Sequence, residues 1–143
     1  LTMQRGPRHL VRASVIYLVL AGLVLVLTGD LLGRGTEWLP TGAGRGLLHV
    51  FTYGFIAFMI FGVAEHMLPR FTGRPVRTGW LQGVQAGLLH TGLWLFVAGR
   101  LAELTLLAGT GAGLMWLGLI TAAVRLLPLV WLPSGPEAEG PVG

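Results

Sequence analysis

Cysteine is absent from the 143-residue chain, and so is lysine. Without thiols there can be no disulfide, no thiolate-ligated zinc, no iron–sulfur cluster and no covalent attachment of a c-type haem. Charge is scarce as well: only 11% of the residues are Asp, Glu, Lys or Arg, and all ten cations are arginines. The arginines stand at the edges of apolar stretches and form no continuous basic face. The net charge of +4 is therefore not the footprint of a nucleic-acid-binding surface.

What remains is largely apolar, with a mean hydropathy of +0.72. Four runs, residues 11–32, 47–68, 80–99 and 104–127, each approach the roughly 20 residues that cross the hydrocarbon core of a bilayer. The first is too long for the core of a signal peptide and lacks a small-residue cleavage site ahead of a polar segment, so it reads as a true span. The expected fold is all-α: a four-helix transmembrane bundle over residues 1–132. The Pro-, Gly- and Glu-rich tail, 133–143, is expected to be disordered.

Arginine asymmetry sets the expected orientation. Arg5, Arg8, Arg12, Arg70, Arg74, Arg77 and Arg125 fall on one side of the spans, Arg34, Arg45 and Arg100 on the other. The richer side is expected to be cytoplasmic, which makes the chain a multi-pass protein of the cytoplasmic (inner) membrane with both termini inside. His49 then lies near the outer face, and His9 and His66 near the inner face. Trp38, in the 33–46 loop, suits an interfacial position. Asp30 and Glu103 end spans on the outer side, solvated or paired with Arg34 or Arg100.

Small residues mark where helices can meet. Gly79, Gly83 and Gly87 recur every four residues with Thr91 continuing the row, and Gly109 and Gly113 repeat the spacing in the fourth run. Such rows let backbones approach closely in lipid, within the bundle or at a dimer seam. Gln82 and Gln85 flank the first row and can bridge helices. Short connections make successive spans antiparallel neighbours.

Ionisable side chains inside a bilayer are costly enough to be functional candidates by default, which singles out His49, His66 and His90. His49 lies about one turn inside the second run, with Tyr53 four residues on and hence on the same helix face. An imidazole bonded through one nitrogen keeps the other for iron, zinc or copper. The ordinary alternative is an interfacial histidine bonded to a carbonyl or water. His66 is about 25 Å further along the same helix, too far to share an ion with His49. Beside Glu65, it reads first as a solvated or headgroup-contacting residue, and otherwise as a proton-uptake point or an inner metal site. His90, near the middle of the third run, lies about 9 Å deeper than His49, an offset that a tilted haem can bridge and a small ion cannot. Its alternative is a hydrogen bond to a Thr, Gln85 or a carbonyl. Phe51, Phe55, Phe58, Met59 and Phe61 surround the second helix as packing residues or as walls for a porphyrin.

The segments HVFTYGF, from His49, and GVAEHMLPRFTGRP, Gly62 to Pro75, resemble the second transmembrane helix of haem-copper oxidase subunit I. They are similar also to that helix in the large subunit of nitric oxide reductases. The resemblance implies that His49 is an axial ligand of a low-spin haem b and that Pro69, Gly73 and Pro75 form the inner turn. It also implies the same outside-to-inside direction as the arginine count. In that superfamily the second axial ligand and the catalytic-metal histidines come from later helices, which these four spans do not include. A complete oxidase or nitric oxide reductase is therefore not expected, and no catalytic residue is assigned.

The expectation is a haem b protein or a small subunit of a respiratory complex, in electron transfer or in haem and nitric oxide handling near a denitrification or oxidase system. The second ligand would come from His90, from a second copy in a homodimer, or from a partner subunit. The alternatives are a cofactor-free accessory subunit packed on a larger oxidase or reductase, and an isolated zinc or copper site made from His49 or His66 across a dimer.

Overall fold

The computed structural model describes residues 5–28, 41–76 and 79–131, and these are helical almost throughout. Four helices follow in chain order: α1 (Arg5–Thr28), α2 (Gly42–Thr72), α3 (Trp80–Leu101) and α4 (Thr105–Trp131). The stretch Val50–Ala57 of α2 is wound as π-helix. Three of the four, α1, α2 and α4, are long and apolar enough to cross a membrane. The third expected span, α3, is not in that set because Gln82, Gln85 and His90 interrupt it. Residues 1–4, 29–40, 77–78 and 132–143 lie outside the description. With them go the expectations for Asp30, Arg34, Trp38, Arg77 and the tail.

Successive helices run antiparallel, as their short connections require. Gly54 and Phe58 of α2 meet Tyr17 of α1, and Gly42, His49 and Glu65 of α2 meet Arg100, Phe96 and Gln82 of α3. The first part of α2 packs on α3 and its last part reaches α4, so α2 crosses the α3–α4 hairpin obliquely. In α1 the buried positions Leu10, Ala13, Ser14, Tyr17 and Ala21 fall three and four apart, one stripe of a helix. Ile16, Val19 and Val26 point outward, and such an apolar exterior suits lipid better than water.

The most extensive contact is between α3 and α4. The buried positions of α4 are Ala108, Gly111, Met115, Gly118, Ala122, Arg125 and Leu129. They alternate in steps of three and four, the spacing of a coiled-coil seam. Small residues on that seam bring the backbones together. A Cβ on Gly92 would lie 2.8 Å from the Gly111 carbonyl oxygen, and one on Gly111 would collide with the Phe96 backbone. Gly99 meets the Ala108 backbone in the same way, and Gly118 makes room for the Leu89 side chain.

These are not the glycines that the four-residue rows single out. Gly83, Gly87, Gly109 and Gly113 have nothing within 4 Å of their Cβ positions and face outward. Gly79 precedes α3, with φ 103. The rows therefore do not pack the bundle. A row four residues apart drifts off a seam whose mean step is 3.5, and the contact follows the seam.

The helix ends carry local signatures. Thr41 caps α2 by accepting the Gly44 amide at 3.0 Å. That helix continues through Pro69 to Thr72 and stops at Gly73, whose φ of 66 is left-handed. The inner turn thus begins at Gly73, one helical turn later than expected, because Pro69 removes a donor without forcing the chain to leave the helix. Between α3 and α4, the Leu104 amide bonds the Gly99 carbonyl at 2.8 Å around Glu103, whose φ is 58. This is a Schellman closure with glutamate in the position that favours glycine.

Candidate functional site

Three polar clusters interrupt the apolar interior. The first is His49, at the junction of the α-helical and π-helical parts of α2. Its Nδ1 lies 2.8 Å from the Arg45 carbonyl one turn back. A carbonyl only accepts, so Nδ1 carries the proton and Nε2 presents its lone pair. The ring stacks on Tyr53 at 5.7 Å with an interplanar angle of 3°, and lies 4.1 Å from the Phe96 ring of α3. The expected sharing of a face by His49 and Tyr53 is therefore observed. His49 remains partly exposed, and its ring neighbours are Tyr53 and Phe96.

The second cluster forms around His90. Its partner is neither a Thr, nor Gln85, nor a carbonyl: Nδ1 lies 2.6 Å from the hydroxyl of Tyr17 on α1. The His90 ring also packs on Phe58 at 4.5 Å and meets the ring of His9 at 5.5 Å, edge to face at 61°. Its Nε2 is buried with no hydrogen-bond partner. Both the hydroxyl and the imidazole can give or accept the shared proton, so this contact alone leaves the tautomer open.

The third cluster is a buried polar network near the Gly73 end of α2. Arg125 of α4 donates to Glu65 at 2.7 Å, with both side chains essentially inaccessible. The same nitrogen of Arg125 donates to Gln85 of α3, and Gln82 donates to the second Glu65 oxygen at 2.6 Å. Both glutamines therefore bridge helices, as expected, though not through the glycine row, which faces outward. Arg125 is no interfacial charge at the end of a span, as the orientation count takes it to be; it is inside the bundle, neutralised by Glu65. His66 is partly exposed beside this network, which Glu65 joins without it.

His49 and His90 are not brought together. The ring neighbours of His49 are Tyr53 and Phe96, whereas those of His90 are His9, Tyr17 and Phe58. Among the described residues no group of three or more His, Cys, Asp or Glu side chains is placed to hold a metal ion. An apolar groove of about 330 Å³ between α1 and α2 is lined by Leu18, Ala21, Leu47, Leu48 and Phe51, adjacent in sequence to His49 but not including it.

The chain matches no family model, no curated protein and no solved structure. The arrangement of its own side chains has to carry the functional reading. Two of those side chains, His9 and Tyr17, have no part in the sequence-based site. Their signal is periodic: His9, Ala13 and Tyr17 recur at four-residue steps, so the histidine and the tyrosine share the face that Ala13 buries.

Proposed function

We propose that this chain is a small membrane haem b protein of the electron-transfer type, with His49 as an axial ligand. The observation that supports it is the Nδ1 contact to the Arg45 carbonyl, which holds the ring and leaves Nε2 unprotonated for a metal. Axial histidines are commonly oriented in this way, the second nitrogen donating to a carbonyl or carboxylate. The flanking rings of Tyr53 and Phe96 offer flat apolar surface to a porphyrin. The π-helical turn beginning at Val50 belongs to a class of distortion found most often at functional sites.

Bound haem would supply one-electron chemistry, its potential set by axial ligation and by the polarity around it. The chain itself orients the imidazole and walls the ring with aromatics. With His90 turned towards α1, the second axial position falls to another copy of the chain or to a partner subunit. The likeness of the His49–Pro75 stretch to haem-copper oxidase subunit I supports the same reading, with the chain placed in the cytoplasmic membrane and both termini inside. The test is an absorption spectrum of the chain purified in detergent after growth with haem precursor. A Soret band present in the wild type and lost in His49→Ala is expected; a colourless wild-type protein overturns the proposal.

The second reading is the cofactor-free accessory subunit. The open face of Gly83, Gly87, Gly109 and Gly113 favours it, since outward glycines suit close packing against another helix in lipid.

A further inference from the structure

We propose that the outward face of α1 binds one anionic phospholipid, its phosphate held by Arg8 and Arg12 and one acyl chain laid in the α1–α2 groove. The site is separate from His49 and does not depend on the haem reading.

The face is a single stripe. Arg8, Arg12, Val15, Val19 and Val26 follow one another at helical spacing, so they share one side of α1. All five are exposed. Over Arg8–Val26 the helix is long and apolar enough to cross a membrane, so this side turns to lipid. Two cations at one end and only hydrocarbon beyond them repeat the order of a phospholipid, head before chain.

The arginines lack a counter-ion within the chain. The carboxylates among the described residues are Glu65 and Glu103. Glu65 is engaged by Arg125 and Gln82. Glu103 follows α3, at the end of the bundle away from the start of α1, since Ser14 meets Met59 of α2 and Glu65 meets the start of α3. Arginines one helical turn apart have Cβ atoms about 5–6 Å from each other, and both can donate to the oxygens of one phosphate.

The chain has a place to go. The apolar groove, about 330 Å³, runs between Leu18, Gly22 and Leu25 of α1 and Leu48 and Phe51 of α2. Gly22 stands between Val19 and Val26, and nothing lies within 4 Å of its Cβ position, so the groove opens onto the stripe there. Leu18 to Leu25 lie about 9–20 Å further along the axis than Arg12, at 1.5 Å per residue. Half of a ~30 Å hydrocarbon core falls inside that range, so a chain rooted at the arginines ends in the groove. Charge then selects the lipid. A phosphatidylcholine head brings its own cation to two guanidinium groups, whereas phosphatidylglycerol brings the phosphate alone.

The experiment is native mass spectrometry of the full chain, delipidated in detergent and titrated with dioleoyl phosphatidylglycerol or dioleoyl phosphatidylcholine. Thermal midpoints are recorded alongside. The wild type is expected to retain one phosphatidylglycerol, at least tenfold more tightly than phosphatidylcholine, and to gain thermal stability from it. An arginine beside an anionic headgroup is worth about fivefold in affinity, so the double variant Arg8→Gln, Arg12→Gln is expected to bind about twentyfold more weakly. Arg45→Gln, exposed near the start of α2, is expected to bind as the wild type does. Gly22→Leu, whose side chain fills the groove without meeting protein atoms, is expected to fold normally and to bind about fivefold more weakly. Several outcomes overturn the proposal. They are equal retention of phosphatidylcholine, wild-type binding by the double variant or by Gly22→Leu, and inorganic phosphate raising the midpoint as much as the lipid does. A dimer that the double variant dissociates, with no lipid retained, also overturns it and gives the face to a second copy. A colourless protein that still retains phosphatidylglycerol would end the haem reading and leave this one standing.

Discussion

Arg125 on α4 and Glu65 on α2 meet at 2.7 Å in a position where neither side chain reaches solvent. The pair ties α2 to α4, and Gln82 and Gln85 complete it from α3. Removing one partner leaves a buried charge uncompensated, which typically costs about 3–5 kcal/mol. Glu65→Gln and Arg125→Leu are each expected to lose that much, and Glu65→Met with Arg125→Leu together to recover a large part of it. Thermal unfolding in detergent reads the difference, and single variants as stable as the wild type would show that the pair is not buried.

The seam between α3 and α4 makes a second, paired prediction. A Cβ on Gly111 would drive into the Phe96 backbone, whereas one on Gly113 meets open space. Gly111→Ala should destabilise by about 3 kcal/mol, and Gly113→Ala should change stability by less than about 0.5 kcal/mol. The reverse ranking in unfolding midpoints would mean that the helix faces are assigned wrongly.

Glu103 holds a φ of 58 in the α3–α4 turn. A side chain there strains the backbone by about 1–2 kcal/mol, and glycine does not. Glu103→Gly is expected to raise the thermal midpoint, less the greater freedom glycine brings to the unfolded chain. No rise at all would argue against the Schellman turn.

Gly54 lets the Tyr17 ring lie against α2, with 2.7 Å between the missing Cβ and the Tyr17 Cγ. Gly54→Ala should displace the ring, break its contact with His90 and cost about 1–3 kcal/mol. Unchanged stability would show that the close approach of Tyr17 to Gly54 is not needed for packing.

Much of the architecture is legible without coordinates. Apolar runs of span length bounded by arginine, glycine and proline locate the four helices, closely for α3, while α1 and α2 begin six and five residues ahead of the expected spans. The His49–Tyr53 face follows from helical spacing alone, whereas Gln82 and Gln85 bridge helices because they turn inward, away from the glycine row that faces out. Less of the site is readable, and His9 shows why. In sequence it belongs to a basic arm ahead of the first apolar run, whereas α1 already begins at Arg5 and carries His9 against α3. Arg125 reads as a terminal charge for the same reason: an arginine near the end of an apolar run marks an interface unless a carboxylate from another helix receives it.

The number and approximate extent of the helices were set by the sequence itself, because hydrophobic length and helix-ending residues are local properties. Which face of each helix turns inward was decided only by the tertiary structure. In a soluble helix the buried stripe is the apolar one; here the outward faces are as apolar as the core, so hydrophobicity no longer tells inside from outside. Gly111 and Gly113 look alike in the chain, yet only the close approach of α3 makes one indispensable and leaves the other idle. His90 meets His9 and not His49 for the same physical reason: the pairing of polar groups in an apolar interior depends on which helices touch.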